Sequence, residues 1–412
     1  MRILHTADWH LGHTLHDVPR EFEHGRFFEW LLDQIGEREV DALLVAGDLF
    51  DAANPPARAQ QAWFRFLGEA RRRFRDLQIV AIGGNHDSAA RLDAPDPVLS
   101  AFGVRVIGGV SRGGVEADLE RLLVPLKGKG GEIGAWVAAV PYLRPCDLPA
   151  GDGEAGDALI TGVRAAYAAV LTEAHRRAGD RTAVVAMGHL YLAGGKLSEL
   201  SERKILGGNL HALPADVFPD FVAYAALGHL HLAQQVSRPA VRYAGSPLPL
   251  SLAERSYEHQ VAIVELAGAK LEGVEIVRVP RWMELVRIPE TGELRLDELL
   301  ERIAAEPSRP AVEGTPEPLL EVAVRLERPE PAIRKTIQDV LEGKGLRLAK
   351  ITPVYAGVGG SLGDVERGRA LGELSPDEVF RRCWSRDFDG APPEELLEAF
   401  HELLEQAQGD AP

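Results

Sequence analysis

The chain has 412 residues, 45% of them hydrophobic and 26% charged, which fits an ordinary globular protein of two to three domains and excludes both a disulfide-stapled miniature and a disordered polyelectrolyte. Its 46 Lys and Arg stand against 62 Asp and Glu, a formal net charge of −16, so it does not coat DNA, RNA or anionic lipid by bulk charge, and any polyanion must be handled locally. Cys146 and Cys383 are too far apart for a disulfide framework or a thiolate zinc site and fit a reducing cytoplasm; no apolar run approaches the ~18 to 20 residues of a membrane span, and the N-terminus turns polar too early for a signal peptide.

Short β-rich apolar runs at 3–6, 42–46, 79–82, 104–107, 136–140, 183–187, 222–227 and 261–266 alternate with helix-period stretches at 22–35, 57–74 and 162–177. That alternation predicts a layered α/β domain. Glycine-rich stretches at 108–114, 128–134 and 151–156 read as turns or surface loops. Beyond Pro280 the order strand 283–288, helix 294–303, strand 320–326, helix 332–341 and strand 346–351 predicts a small second α/β domain. Glycines at 357, 359, 360, 363 and 368 then predict a linker. Ser375-Pro376-Asp377-Glu378 carries a helix-start signature, followed by Val379, Phe380, Cys383 and Trp384 on one face. A second helix from Pro393 to about 406 lines up Leu396, Leu397, Phe400, Leu403 and Leu404 on one stripe, with glutamates elsewhere. Such a pair either packs back on the body or docks another protein. The acidic excess lies mainly here: residues 281–412 carry a net charge of −10, against −6 for 1–280.

Five polar clusters follow apolar runs, where α/β sheets present side chains at strand ends: Asp8-Trp9-His10, Gly47-Asp48-Leu49-Phe50-Asp51, Gly84-Asn85-His86-Asp87, Gly188-His189 and Gly228-His229-Leu230-His231. Singly, each has a bland explanation: a capping aspartate, a Gly-Asp turn, a core histidine. Together they offer carboxylate, imidazole and amide donors without a thiolate, a set that suits manganese, iron, magnesium or zinc. Seven donors are too many for one open ion site and suit two ions sharing a carboxylate. His13 and His16 follow the first cluster closely enough to meet substrate or simply to lie at the surface, and Arg71, Arg72, Arg73 and Arg75 form a basic run that is either a phosphate contact or a solvated helix end.

The order DxH, GDxxD, GNH[DE], GH, GHxH, complete from Asp8 to His231, resembles the calcineurin-like metallophosphoesterase superfamily. Residues 6–12, 45–51 and 243–247, with the small second domain and terminal helix pair, resemble more narrowly its SbcD-type nucleases. The resemblance implies a four-layered α/β metallophosphoesterase sandwich over 1–275, a small α/β capping domain over 280–355, a linker at 356–374 and a C-terminal helix pair at 375–408. It implies that Asp8, His10, Asp48 and His231 hold one ion and Asp48, Asn85, His189 and His229 the other. His86 then lies by the scissile phosphate to protonate or stabilise the departing oxygen, with Asp87 orienting it. Asp51, where archaeal relatives carry a histidine, stands behind the ligands. The implied activity is a manganese-dependent DNA exonuclease and endonuclease acting on duplex ends and hairpins in repair and recombination, as a cytoplasmic homodimer. No GxxxxGK[ST] segment occurs, so ATP hydrolysis would belong to an SbcC-like ATPase docked on Val379, Phe380, Trp384, Leu396, Leu397, Phe400, Leu403 and Leu404. The rival readings are a small-molecule phosphodiesterase on the same scaffold and a non-catalytic binding scaffold.

Overall fold

A run such as Ala42–Ala46 is apolar at every position because both of its faces are covered, as in parallel strands between layers. The computed structural model describes residues 1–148, 155–196, 212–310 and 315–355, with isolated positions between 380 and 400. It divides into two units, Met1–Met283 and Glu284–Pro412. In chain order the first unit carries β1 (Arg2–Thr6), α1 (Glu21–Glu37), β2 (Ala42–Ala46), α2 (Ala57–Arg73), β3 (Gln78–Ile82), β4 (Val104–Ile107), β5 (Leu123–Lys127) and β6 (Ile133–Ala139). It continues with α3 (Ala155–Ala178), β7 (Ala183–His189), β8 (Val222–Gly228), β9 (Gln234–Val236), β10 (Arg238–Tyr243), β11 (Gln260–Ala267) and β12 (Lys270–Arg278).

Two six-stranded sheets result, ordered β12-β11-β1-β2-β3-β4 and β9-β10-β8-β7-β6-β5. In the first, β1 to β4 are parallel and β11 and β12 antiparallel; in the second, β6, β7, β8 and β10 are parallel. The period of two along each strand builds the layers. Ile3, Leu44, Ala46, Val80 and Ile82 point inward and pack with Val137, Val185 and Ala225 of the second sheet, while Leu4, Leu43, Val45, Ile79 and Ala81 point outward onto Phe27, Leu31, Trp63 and Phe66 of α1 and α2. Tyr167, Val170, Leu171 and Ala174 of α3 join the inner cluster from the far side of the second sheet. The order helices, sheet, sheet, helix is the four-layered sandwich expected.

Some elements differ from expectation. Helix α3 starts at Ala155, not 162, so Gly156 is helical; Ile133 and Gly134 open β6, and Gly114 opens a one-turn helix, Gly114–Ala117. Glycine content alone did not distinguish these from loops, because packing overrode propensity. Strand β12 runs through position 275 to Arg278.

In the second unit β13 (Leu285–Ile288), α4 (Leu296–Ala305), β14 (Leu319–Leu326), α5 (Ile333–Leu341) and β15 (Arg347–Tyr355) form a small α/β body with β14 central and parallel to its neighbours. Leu299, Ile303, Ile337 and Leu341 of the helices cover Leu320, Val322 and Val324. The expected linker 356–374 and Val379, Leu403 and Leu404 lie outside the described residues. Phe380, Trp384, Leu396, Leu397 and Phe400 are helical, and the Phe380 and Phe400 rings stack at 4.2 Å between centroids. Among the described residues, no helix is long and apolar enough to cross a membrane.

Candidate metal centre

Because β1, β2 and β3 are parallel, the loops that follow them leave one edge of the sheet together. Pairing continues past the strands: the Asp8 N–H donates to the Gly47 carbonyl (3.0 Å), His10 N–H to Asp48 (3.0 Å) and Leu11 N–H to Leu49 (2.9 Å). It does so on left-handed backbone at Asp8 (φ 53°), His10 (φ 46°) and Asp48 (φ 46°), which non-glycine residues adopt only where their surroundings enforce it. Two glycines are dictated by close approach. A Cβ on Gly47, itself at φ +92°, would sit 2.2 Å from Nδ1 of His189, and one on Gly84 would sit 2.1 Å from Oδ1 of Asp48.

Asp48 stands at the centre. Its Oδ2 is 3.5 Å from His10 Nε2 and 3.4 Å from His189 Nε2, and its Oδ1 accepts the His86 N–H at 2.8 Å. Donor atoms of His10, Asp48 and His86 lie within 4.8 Å of one another, and so do those of Asp8, Asp48 and His189. Two trios therefore share one carboxylate. Asn85 Oδ1 is 2.9 Å from His189 Nε2 and 3.0 Å from His229 Nδ1, and the His231 ring meets His10 edge-on at 5.2 Å. Asp8 accepts the His229 N–H at 2.9 Å. The seven expected ligands are thus brought together. His86 reaches the first trio although the resemblance keeps it off the ions.

The donors fit divalent cations on a separate ground: His10 Nε2 is buried with no hydrogen-bond partner while aimed at Asp48. Burial pushes Asp8 up to about 6 and lowers His10 to about 4 and His229 to about 3. Burial also opposes ionisation of Asp48 and His189, but their mutual attraction and hydrogen bond win, holding Asp48 below the usual carboxylate range and raising His189 to about 9.

Asp87 needs correction. Its carboxylate accepts the N–H groups of Leu49 (3.0 Å), Phe50 (2.9 Å) and Gly84 (2.9 Å), fastening the loop after β2 to the loop after β3. It does not orient His86, whose Nδ1 faces the Asp51 carbonyl at 2.9 Å. Asp51 Oδ1 lies 3.1 Å from Nδ1 of both His10 and His13.

Sequence reasoning missed Glu254, fully buried with Oε1 3.1 Å from His231 Nδ1; it lies outside all five motifs, and no spacing marks it. It also missed Arg144, which donates to the Asp87 carbonyl at 3.0 Å. The basic run is a helix end: Arg71 donates to the Leu77 carbonyl, Arg72 pairs with Glu69 and Arg73 with Asp33.

The chain resembles known proteins over most of its length. Residues 1–233 match the calcineurin-like phosphoesterase family, and residues 281–388 match a domain described as type 5 capsule protein repressor C-terminal domain. The SbcD component of nuclease SbcCD from Rhodobacter capsulatus is 44% identical over 358 residues, 85% of this chain and 87% of the relative. Its counterpart of the same name from Escherichia coli K12 is 31% identical over 419 residues, 100% of this chain and 99% of the relative, and that from Bacillus subtilis is 36% identical over 271 residues, 64% and 66%. The chain belongs to the SbcD family of calcineurin-like phosphoesterases. It is a metal-dependent phosphodiesterase.

Proposed function

We propose that this chain hydrolyses DNA phosphodiester bonds at duplex ends and hairpins, in repair and recombination, as the nuclease partner of an SbcC-like ATPase. The observation that carries the reading is the pair of donor trios sharing Asp48 at the rim of two sheets, His10, Asp48 and His86 in one and Asp8, Asp48 and His189 in the other. Asp8, His10, Asp48 and His231 would hold one ion and Asp48, Asn85, His189 and His229 the other, with manganese as the metal. Ions held there would supply charge neutralisation for the phosphodiester oxygens and a hydroxide from water.

The chain's own residues do the rest. Nδ1 of His86 donates to the Asp51 carbonyl, which fixes the ring and leaves Nε2 to face the reacting phosphate. As the hydroxide oxygen bonds to phosphorus and the P–O bond to the departing sugar breaks, a proton delivered through His86 Nε2 goes to that alkoxide. Arg144 braces the His86–Asp87 loop from behind. The helix pair offers the ATPase a surface on Trp384, Leu396 and Leu397, with Leu396 41% exposed, while Phe380 and Phe400 hold the two helices together. The chain works as a cytoplasmic homodimer.

The test is manganese-dependent cleavage of a labelled duplex closed by one hairpin. Wild type is expected to cut it, and His86→Ala and Asp48→Ala to lose cleavage. A wild type inert on DNA with or without the ATPase, yet turning over a nucleotide phosphodiester, would replace the reading with a small-molecule phosphodiesterase.

A further inference from the structure

Among the described residues, two of the four imidazoles proposed as ligands are backed by carboxylates outside the ligand set and two are not. Nδ1 of His10 lies 3.1 Å from Asp51 Oδ1, and Nδ1 of His231 lies 3.1 Å from Glu254 Oε1. By contrast, His189 Nδ1 faces the neutral carbonyl of Ala46 at 3.0 Å, and His229 turns Nδ1 toward Asn85 at 3.0 Å. Among the described residues, the only carboxylates against His189 are Asp8 and Asp48, themselves in the ligand set.

The two backing carboxylates are also joined. Asp51 Oδ1 lies 3.1 Å from His13 Nδ1, His13 Nε2 lies 3.0 Å from the Leu250 carbonyl, and the Leu250 N–H donates to Glu254 Oε2 at 2.8 Å. The His13 ring thus bridges Asp51 and the Leu250 carbonyl. A hydrogen-bonded path therefore runs from His10 through Asp51, His13, Leu250 and Glu254 to His231, using four separate loops. It commits Nδ1 of both imidazoles and makes Nε2 the nitrogen each offers an ion. An anionic acceptor behind an imidazole fixes the ring and raises the basicity of the far nitrogen, which a neutral carbonyl does more weakly.

We infer that Asp51, His13 and Glu254 are positioning residues that make the His10 and His231 ion site the tighter of the two, so that the centre fills in order, that site first and the His189 and His229 site second. The inference rests on the two-ion reading above, but not on DNA as substrate. An outer partner of this kind is worth about 10- to 100-fold in metal affinity.

The experiment titrates the full chain with Mn²⁺ alone, following heat by calorimetry and free Mn²⁺ by its paramagnetic resonance signal. Wild type should show two steps at least ~10-fold apart. Glu254→Gln keeps the side-chain volume and an acceptor for Leu250 but removes the charge; it should weaken the tight step about 10- to 100-fold and leave the weak step unchanged. Asp51→Asn, at the other end of the path and 31% exposed, should do the same. Circular dichroism identifies a variant that fails to fold, in which case the other carries the test. Indistinguishable steps in wild type, or variants that weaken both steps equally, overturn the inference while leaving two ions in place. Uptake of one ion or none overturns the two-ion reading and this inference with it.

Discussion

The two sheets of the first unit share one apolar core but bring unlike chemistry to its rim. Loops from β1, β2 and β3 deliver the carboxylates of Asp8, Asp48, Asp51 and Asp87, the amide of Asn85 and the imidazoles of His10 and His86; β7 and the end of β8 deliver the imidazoles of His189, His229 and His231. Carboxylates crowded on one sheet oppose one another's ionisation, and the charge on His189 from the other sheet lowers both Asp8 and Asp48. The centre is therefore a product of sheet registration: the first sheet completes one trio by itself, but the second trio needs His189 from the other sheet, and what holds the sheets in register matters as much as the donors themselves.

The largest effect should come from the residue that both trios share. Asp48→Asn is expected to lower hydrolysis by about 10³-fold or more and to strip bound metal, read by elemental analysis, because one carboxylate serves both donor groups. His86→Ala should retain the metal while turnover falls by roughly 10² to 10⁴. Metal lost from His86→Ala would promote that ring from proton donor to ligand and shift the balance of donors further toward the first sheet.

Next comes a contact between the sheets. Gly47→Ala must place a methyl on His189 at a left-handed φ, and should cost about 3 kcal/mol or more by urea unfolding. Gly273→Ala in β12, where nothing lies within 4 Å, is the matched control and should change stability by less than about 0.5 kcal/mol. Equal effects would mean that close approach at the rim is not what selects glycine there.

These glycines show why part of the molecule was legible. Gly47 and Gly84 each precede a donor because backbone and ligand must touch there, so strand, glycine and donor appear contiguously in the chain, and the strands buried on both faces read as unbroken apolar runs. Partly exposed strands were missed for the complementary reason. Strand β12 buries only Val277 fully and carries Gly273 at its middle, and β5 carries Pro125, so neither has the apolar run that announces a strand. Glu254 and the Asp87 bonds were missed because they depend on which loops meet in space. Nothing local to Leu49, Phe50 and Gly84 says that one carboxylate takes all three N–H groups.

Acid should destabilise the first unit through buried histidines outside the proposed ligand set. Burial lowers His5 to about 3, His24 to about 3 and His259 to about 4 from 6.5, and none of these is a proposed ligand. Each binds fewer protons folded than unfolded, so stability is complete above about pH 6.5 and is lost as pH falls toward 4 to 3. Urea midpoints should drop between pH 7 and pH 5 by the equivalent of about 1 to 2 kcal/mol for each ring. A flat profile across that interval would show the rings to be reachable by solvent protons.

The smallest effect tests registration most directly. His5 of β1 points into the inter-sheet core, where its Nδ1 accepts from the Tyr224 hydroxyl (2.9 Å) and its Nε2–H donates to the Leu227 carbonyl (3.2 Å), both on β8. The Leu227 carbonyl keeps a second donor, the Ala244 N–H, so His5→Leu strands only the hydroxyl and should cost about 1 to 3 kcal/mol. Tyr224→Phe alone should cost about 1 kcal/mol. If the pair acts as a clamp, the double variant His5→Leu/Tyr224→Phe should lie within about 1 kcal/mol of wild type, since no buried polar group is then left unpaired. It should also lose one ring's share of the acid sensitivity. Additive costs with unchanged acid sensitivity would mean that the sheets are registered by apolar packing alone, and that the polar link across the core is incidental to the centre above it.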